Sequence, residues 1–335
     1  MPQQTFLHLG IHKTGSTFLQ HKVFPRLAGV HYVGPGKHAD PETFAIFDEL
    51  TTANPAYFDV ARVRDTFAEK RAAIKESKIL VSSEELFGHL LWNFLDNRFI
   101  AEALAEIVPD ARVVIFLRRQ DDWAESAYKQ TVRDGFTMPF NAFVGWNGSA
   151  FEQHCYVQGS RVRINVHQLD WLRYARTYAD LFGAENLLVV PYELMQAEPK
   201  VFAARLSAFF GAEFPTLDNS FKVNPGFSKA GLAVARCLNR VFEDKYHEPK
   251  LIKQTPFHDY FLQRRDQSGF HRFMTSVTGR MTVPRFIDTV VTPLFPQPAA
   301  LLSDTMRSEI LRMHAERNRI LCEEFGVGLS AFGYY

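Results

Sequence analysis

Three short stretches of this 335-residue chain combine residue types that handle anions and protons. The first is Leu9-Gly10-Ile11-His12-Lys13-Thr14-Gly15-Ser16-Thr17, where an apolar run gives way to a helical pattern. A helix start presents unpaired backbone N–H groups and the positive end of the helix dipole, and both suit a phosphate. Gly15 lets the backbone approach such a group closely, while the hydroxyls of Thr14, Ser16 and Thr17 add donors. Lys13 brings a mobile point charge that can follow charge developing on a bridging oxygen. A plain strand-to-helix turn with an N-cap serine and a solvated lysine uses the same residues, so the loop alone says only "anion". The nucleotide-triphosphatase loop requires GxxxxGK[ST]; here Lys13 precedes Gly15, and that motif is absent.

The second stretch is Phe116-Leu117-Arg118-Arg119-Gln120, with Ser126 eight residues after Arg118. An arginine at a strand end offers a planar fork for a phosphate, and a serine two helical turns on adds a hydroxyl. Asp121, Asp122 and Glu125 nearby would equally suit a surface arginine pair. The third stretch, Ile79-Leu80-Val81-Ser82-Ser83-Glu84-Glu85-Leu86, puts two carboxylates at the end of a strand. Open α/β sheets place ligands there, and side chains alternate between faces, so at most one of the two enters a site. Such a carboxylate suits a general base, and so does His12 beside the loop; alternatively both glutamates begin and charge the next helix.

The elements that position these residues follow from apolar patterning. Thr5 to Leu9, Lys78 to Ser82, Arg112 to Leu117 and Asn186 to Pro191 read as short buried strands. Helical patterns begin at Ser16 and cover Ala101 to Val108, Asp121 to Val132, Leu169 to Phe182 and Val201 to Phe210, with Gly183 and Gly211 as stops. Such alternation predicts an α/β fold with a central, mainly parallel sheet flanked by helices. The residues from Gly135 to Arg163 are aromatic and loop-like, and those from about 245 to 300 form an irregular subdomain or lid rich in Pro, Phe, His and Arg. A C-terminal helix is predicted over about 304 to 325, closing one domain of 1–335 whose core spans about 1–240.

Composition sets outer limits. With 38 Lys plus Arg against 37 Asp plus Glu, the net charge of +1 offers no general attraction to nucleic acid. Cys155, Cys237 and Cys322 are widely spaced and show no metal-ligand pattern, so neither a zinc site nor a disulfide framework is expected. The chain has no apolar stretch near the roughly 20 residues of a membrane span and no secretory signal at Met1 to Gln4. A cytoplasmic protein is the expectation.

The segments also carry a resemblance. Residues 8–20, HLGIHKTGSTFLQ, resemble the 5′-phosphosulfate-binding loop of sulfotransferases that use 3′-phosphoadenosine 5′-phosphosulfate (PAPS). Residues 116–130, FLRRQDDWAESAYKQ, resemble the segment of that family in which an arginine and a serine eight residues later bind the 3′-phosphate; the matching positions are Arg118 and Ser126. Members often carry a proline two residues after that arginine, where this chain has Gln120. Asn186 to Glu193, followed by Glu198-Pro199, is similar to the family's late strand and Tyr-Glu turn, which makes Tyr192 a candidate contact on the adenine side. The helix with His314-Ala315-Glu316-Arg317-Asn318 is similar to the end of bacterial members.

The resemblance implies a P-loop-like fold, PAPS as co-substrate, 3′,5′-ADP as product, and no metal. Lys13, Thr14, Gly15, Ser16 and Thr17 would hold the donor with Arg118, Ser126 and Tyr192, and Lys13 would steady the bridging oxygen as it leaves. A His or Glu acts as base at about this place in the family, favouring Glu84 over Glu85 and His12. Lys222 falls where relatives carry an Arg-Lys-Gly triplet; the triplet is missing, and a solvated lysine is expected. Likeness to bacterial carbohydrate-type members points to a glycan or glycolipid hydroxyl as acceptor. Trp146, Tyr156, Phe257, Arg264, Arg265 and Arg272 are its candidate contacts. Two other classes stay open: a nucleotide kinase or triphosphatase, and a non-catalytic interaction module on a nucleotide-binding fold.

Overall fold

Five apolar runs pair into one parallel sheet. The computed structural model describes residues 3–36, 39–153, 156–158, 161–215, 226–242, 244, 250–251 and 282–335. In chain order the elements are β1 (Gln4–Gly10), α1 (Ser16–Phe18), β2 (Val30–Val33), α2 (Pro41–Thr52), α3 (Val60–Ala73), β3 (Lys78–Ser82), α4 (Asn97–Ile107), β4 (Arg112–Leu117) and α5 (Gln120–Arg133). Then come α6 (Phe140–Val144), β5 (Tyr156–Gln158), β6 (Arg161–Arg163), α7 (Trp171–Phe182), β7 (Leu187–Pro191), α8 (Tyr192–Ala197), α9 (Pro199–Phe210) and α10 (Lys229–Leu238). A long helix, Asp304–Phe325, follows near the end of the chain.

The sheet order is β2-β3-β1-β4-β7, with every neighbouring pair parallel. The protein is therefore α/β with a central parallel sheet flanked by helices. Its strands read as unbroken apolar runs because both faces are covered. On one face Phe6, Leu80, Val114, Phe116 and Val190 meet Leu19, Phe24, Phe202, Leu206 and Phe210 in a continuous core. On the other face α7 packs against β4, β7 and α4, and α3 packs against α4. Residues 30–73 hold three elements with weaker patterns: a four-residue strand and two helices started by Asp40 and Asp59, whose carboxylates accept the amides of Thr43 and Arg62.

The topology puts β1 in the middle, so the loop after β1 is flanked by the loops after β3 and β4. Register brings them level: His8 pairs with Ser82, Gly10 with Phe116, and Leu117 with Pro191. The helix expected from Ser16 has an unusual build. Only Ser16–Phe18 is α-helical; a π turn (Leu19–Val23) and a 3-10 turn (Phe24–Arg26) complete it. Pro25 in the last turn has no N–H to continue an α-helical ladder.

The chain divides into two units, one of Met1–Trp123, His167–Val223 and Ser308–Tyr335, the other of Ala124–Val166 and Asn224–Arg307. The first holds the five-stranded sheet. The second holds most of α5, the helices α6 and α10, and the antiparallel β5–β6 pair. Within it, Asn239 donates to the carbonyls of Val132 and Phe136, and Glu125 accepts the amides of Leu301 and Leu302. Of the expected acceptor contacts, Trp146 packs edge-on to Phe151 at 4.7 Å in this unit. Phe257, Arg264, Arg265, Arg272 and Lys222 lie outside the described residues, as does the side chain of Tyr156. Among the described residues no helix is long and apolar enough to cross a membrane.

Phe6 anchors the sheet's buried face, stacking on Phe210 at 4.6 Å and meeting Phe209 edge-on at 6.1 Å. Truncation there leaves a cavity between strand and helix. Phe6→Ala is expected to lower the unfolding free energy by about 3–5 kcal/mol, read from the midpoint of a denaturant titration.

Candidate functional site

Lys13 has φ of 72°, a left-handed conformation uncommon for a side-chain-bearing residue. Both flanking strands reach it. The Glu84 carboxyl at the end of β3 lies close enough for the Lys13 ammonium and amide to draw its pKa down, and the Lys13 carbonyl accepts from Arg118 Nη1 at 3.1 Å, at the end of β4. Neighbouring groups fix the rest of the loop. The Trp123 indole donates to the carbonyl of His12 at 2.8 Å, and Thr14 Oγ1 donates to the carbonyl of Ile11 at 2.6 Å.

Gly15 is also left-handed, at φ 85°. A Cβ there would lie 2.6 Å from Met195 Cε and 3.0 Å from the Tyr192 ring, so only glycine passes. Gly10 is equally constrained, since a Cβ would fall 2.1 Å from Ser16 Oγ. Ser16 is fully buried, and its hydroxyl has no partner in hydrogen-bond geometry among the described residues. It is nonetheless near enough to Glu84 to help draw that carboxyl's pKa down. Thr17, one residue on, is exposed. The hydroxyls of this loop thus differ: Thr14 braces it, Ser16 is tucked beneath it, and Thr17 faces outward.

The two glutamates separate. Glu84 meets Lys13 and Ser16; burial pushes its pKa above the usual glutamate value, and the Lys13 ammonium, Ser16 and the Lys13 amide oppose that push. Glu85 lies 3.7 Å from His12 Nε2 with its side chain 45% exposed. His12 Nε2 also lies 3.2 Å from the carbonyl of Gly88, and its ring stacks toward Phe94. Burial lowers the His12 pKa, with Glu85 pulling the other way.

Arg118 reaches over the Tyr192 ring, Cζ to centroid 5.1 Å, a cation–π contact. The two residues follow the paired Leu117 and Pro191 of adjacent strands, which is why they meet. Tyr192 itself is only 5% exposed. Gly15 and Met195 pack near its ring, and its hydroxyl accepts from Gln196 Nε2 at 3.0 Å. Ser126 lies half-buried on α5, within the second unit. The first unit thus gathers the Lys13–Thr17 loop, Glu84, Arg118 and Tyr192 at the carboxyl ends of adjacent parallel strands.

Several contributors carried no local sequence signal. Trp123 and Trp171 donate indole N–H groups to the carbonyls of His12 and Arg118, and nothing in their spacing marks that role. Beneath the loop, His8 Nδ1 lies 2.7 Å from Ser82 Oγ, which also accepts from Gln20 Nε2 at 3.1 Å. Burial pushes His8 down to about 3, so it stays neutral between the strands. Among the described residues, no group of three or more His, Cys, Asp or Glu could hold a metal ion.

No protein-family model and no curated protein matches the chain. Among solved structures, the chain is similar to a sulfotransferase from Alicyclobacillus acidocaldarius, at 20% identity and a TM-score of 0.41, over 67% of this chain and 88% of that one.

The raised pKa of Glu84 has a consequence for stability. A carboxyl that ionises less readily in the folded than in the unfolded chain favours folding below the unfolded pKa, and that advantage is lost as pH rises through the folded pKa. Glu84→Gln is therefore expected to melt higher than the parent protein at pH 8. The gap should close as pH falls toward ordinary carboxyl values. Calorimetry across that range reads both arms.

Proposed function

We propose that this protein is a PAPS-dependent sulfotransferase that moves a sulfonyl group to an acceptor hydroxyl and releases 3′,5′-ADP. The observation that carries the reading is the Lys13 loop bonded to Arg118 and lying beside Glu84, at three adjacent strand ends. This brings an anion-seeking loop, a second cationic fork and a half-buried carboxyl group together at the carboxyl end of the sheet. The resemblance of residues 8–20 and 116–130 to the donor-binding segments of the family supplies the identity of the anion.

The residues present fit such a donor. Left-handed Gly15 leaves its backbone bare where a Cβ would clash, at the start of a helix. Lys13 supplies the charge nearest that helix start, and Thr17 an exposed hydroxyl. Arg118 is assigned to the 3′-phosphate, the role that the resemblance of residues 116–130 implies for it. Tyr192 is assigned to the wall behind the loop, touching a base only by the part of its ring that Gly15 and Arg118 leave clear.

In the transfer, an acceptor oxygen bonds to sulfur as the bond from sulfur to the 5′-phosphate oxygen breaks. The bonding pair leaves with 3′,5′-ADP, and the acceptor proton passes to Glu84. Burial favours the protonated form of Glu84, which suits a base that must accept a proton near neutral pH. Lys13 is placed to offset charge on the departing oxygen, and positioning supplies much of the rest. We assign the acceptor to the glycan or glycolipid class.

Incubating labelled PAPS with glycan and glycolipid fractions tests the reading, with the product identified by mass spectrometry. Label is expected on a hydroxyl of the acceptor, and its absence from every fraction opposes the assignment. Glu84→Gln should abolish transfer and leave 3′,5′-ADP binding within about 2-fold; a variant that turns over normally removes Glu84 from the mechanism. Lys13→Ala should slow transfer by about 100- to 1,000-fold, as for loss of one donor to a developing oxyanion.

A further inference from the structure

Gln120 stands where the resembling family often carries proline, and the structure gives it a specific partner. It is fully buried and forms a reciprocal amide pair with Asn318 of the Asp304–Phe325 helix, at 2.9 and 3.2 Å. The Gln120 amide also donates to the carbonyl of Leu169 at 3.3 Å. Asn318 in turn donates to the carbonyl of Tyr334 at 3.0 Å.

Tyr334 closes the circuit. Its ring is fully buried, and its hydroxyl donates to Glu193 Oε2 at 2.8 Å. Glu193 Oε1 accepts the backbone N–H of Arg119 at 3.0 Å. The Arg119 guanidinium clasps Asp121 and donates to the carbonyl of Phe332 at 3.3 Å. The turn from Arg118 to Gln120 is therefore tied at successive residues: the Arg118 carbonyl by Trp171, the Arg119 amide by Glu193, and the Gln120 side chain by Asn318. Two of these three ties lead to residues 318–334.

We propose that Tyr334 and Asn318 are positioning residues for donor binding, acting through Glu193 and Gln120 to hold the Arg118 turn. The inference rests on the donor assignment for Arg118 given above. Neither residue needs to touch the donor. The half-buried Glu193 carboxylate, with two donors, holds the Arg119 amide in place, and removing the buried Tyr334 hydroxyl leaves it under-satisfied. The turn then samples other conformations, and Arg118 loses the fixed start from which it reaches Lys13 and a phosphate.

The test is Tyr334→Phe in the full chain, which removes one oxygen and keeps the packing. Amide hydrogen exchange at Arg119 is expected to quicken at least about 10-fold, while the sheet amides of β1 and β3 keep their protection. The dissociation constant for 3′,5′-ADP is expected to rise about 10-fold, equivalent to about 1.4 kcal/mol, with the acceptor KM unchanged. Asn318→Ala asks the same question from the Gln120 side and serves if the tyrosine variant fails to fold. Unchanged exchange at Arg119 overturns the proposal. Faster exchange with unaltered 3′,5′-ADP affinity overturns the link to donor binding. A parent protein that does not bind 3′,5′-ADP removes the donor assignment, while the exchange result still decides whether Tyr334 holds the turn.

Discussion

The left-handed Lys13 peptide, bonded to Arg118 and flanked by Glu84, is the constraint on which the site depends. A left-handed conformation costs a residue with a side chain roughly 1–2 kcal/mol. A hydrogen bond from a charged group contributes about 1.5–3 kcal/mol, so the Arg118 bond alone offsets that strain. Arg118 and Glu84 reach the loop because β4 and β3 flank β1. Sheet topology, loop strain and site chemistry form one chain of cause.

Electrostatics follow from the same arrangement. The protein is nearly neutral overall, yet Lys13 and Arg118 converge on one short loop. The half-buried Glu84 carboxyl stands beside them, and its pKa is raised because loss of solvent outweighs its neighbours. Glu193 repeats the pattern under the Arg118 turn: burial raises it, and the Arg119 amide and the Tyr334 hydroxyl oppose the rise. Each carboxylate meets a backbone amide of the turn beside it. Charge in this site organises backbone.

Much of the frame was legible in the sequence because it is local. The four strands read from apolar runs agree with β1, β3, β4 and β7 to within a residue or so, and Gly183 and Gly211 do end α7 and α9. Short or mixed-pattern elements gave no such signal: β2 has four residues, and the segment after Ser16 changes helix type twice. Side-chain direction was illegible as well. Thr14, Ser16 and Thr17 look alike as donors in a motif, but register with Gly10 and Ile11 turns the first two into the protein. The Gln120–Asn318 pair spans 198 positions, and no periodicity connects residues that far apart. Long-range polar pairing is set by the packed fold, after local pattern has done its part.

In the proposed function the Lys13 loop and Arg118 bind two phosphates of one nucleotide. Calorimetric titration of 3′,5′-ADP against 5′-AMP, with the parent protein and Arg118→Ala, is the decisive experiment. The account predicts that the parent protein binds 3′,5′-ADP at least about 10-fold more tightly than 5′-AMP, as loss of charge-assisted contacts to the 3′-phosphate would produce, and that Arg118→Ala erases the difference. Equal affinity for the two nucleotides in the parent protein, or a preference that survives Arg118→Ala, would contradict it.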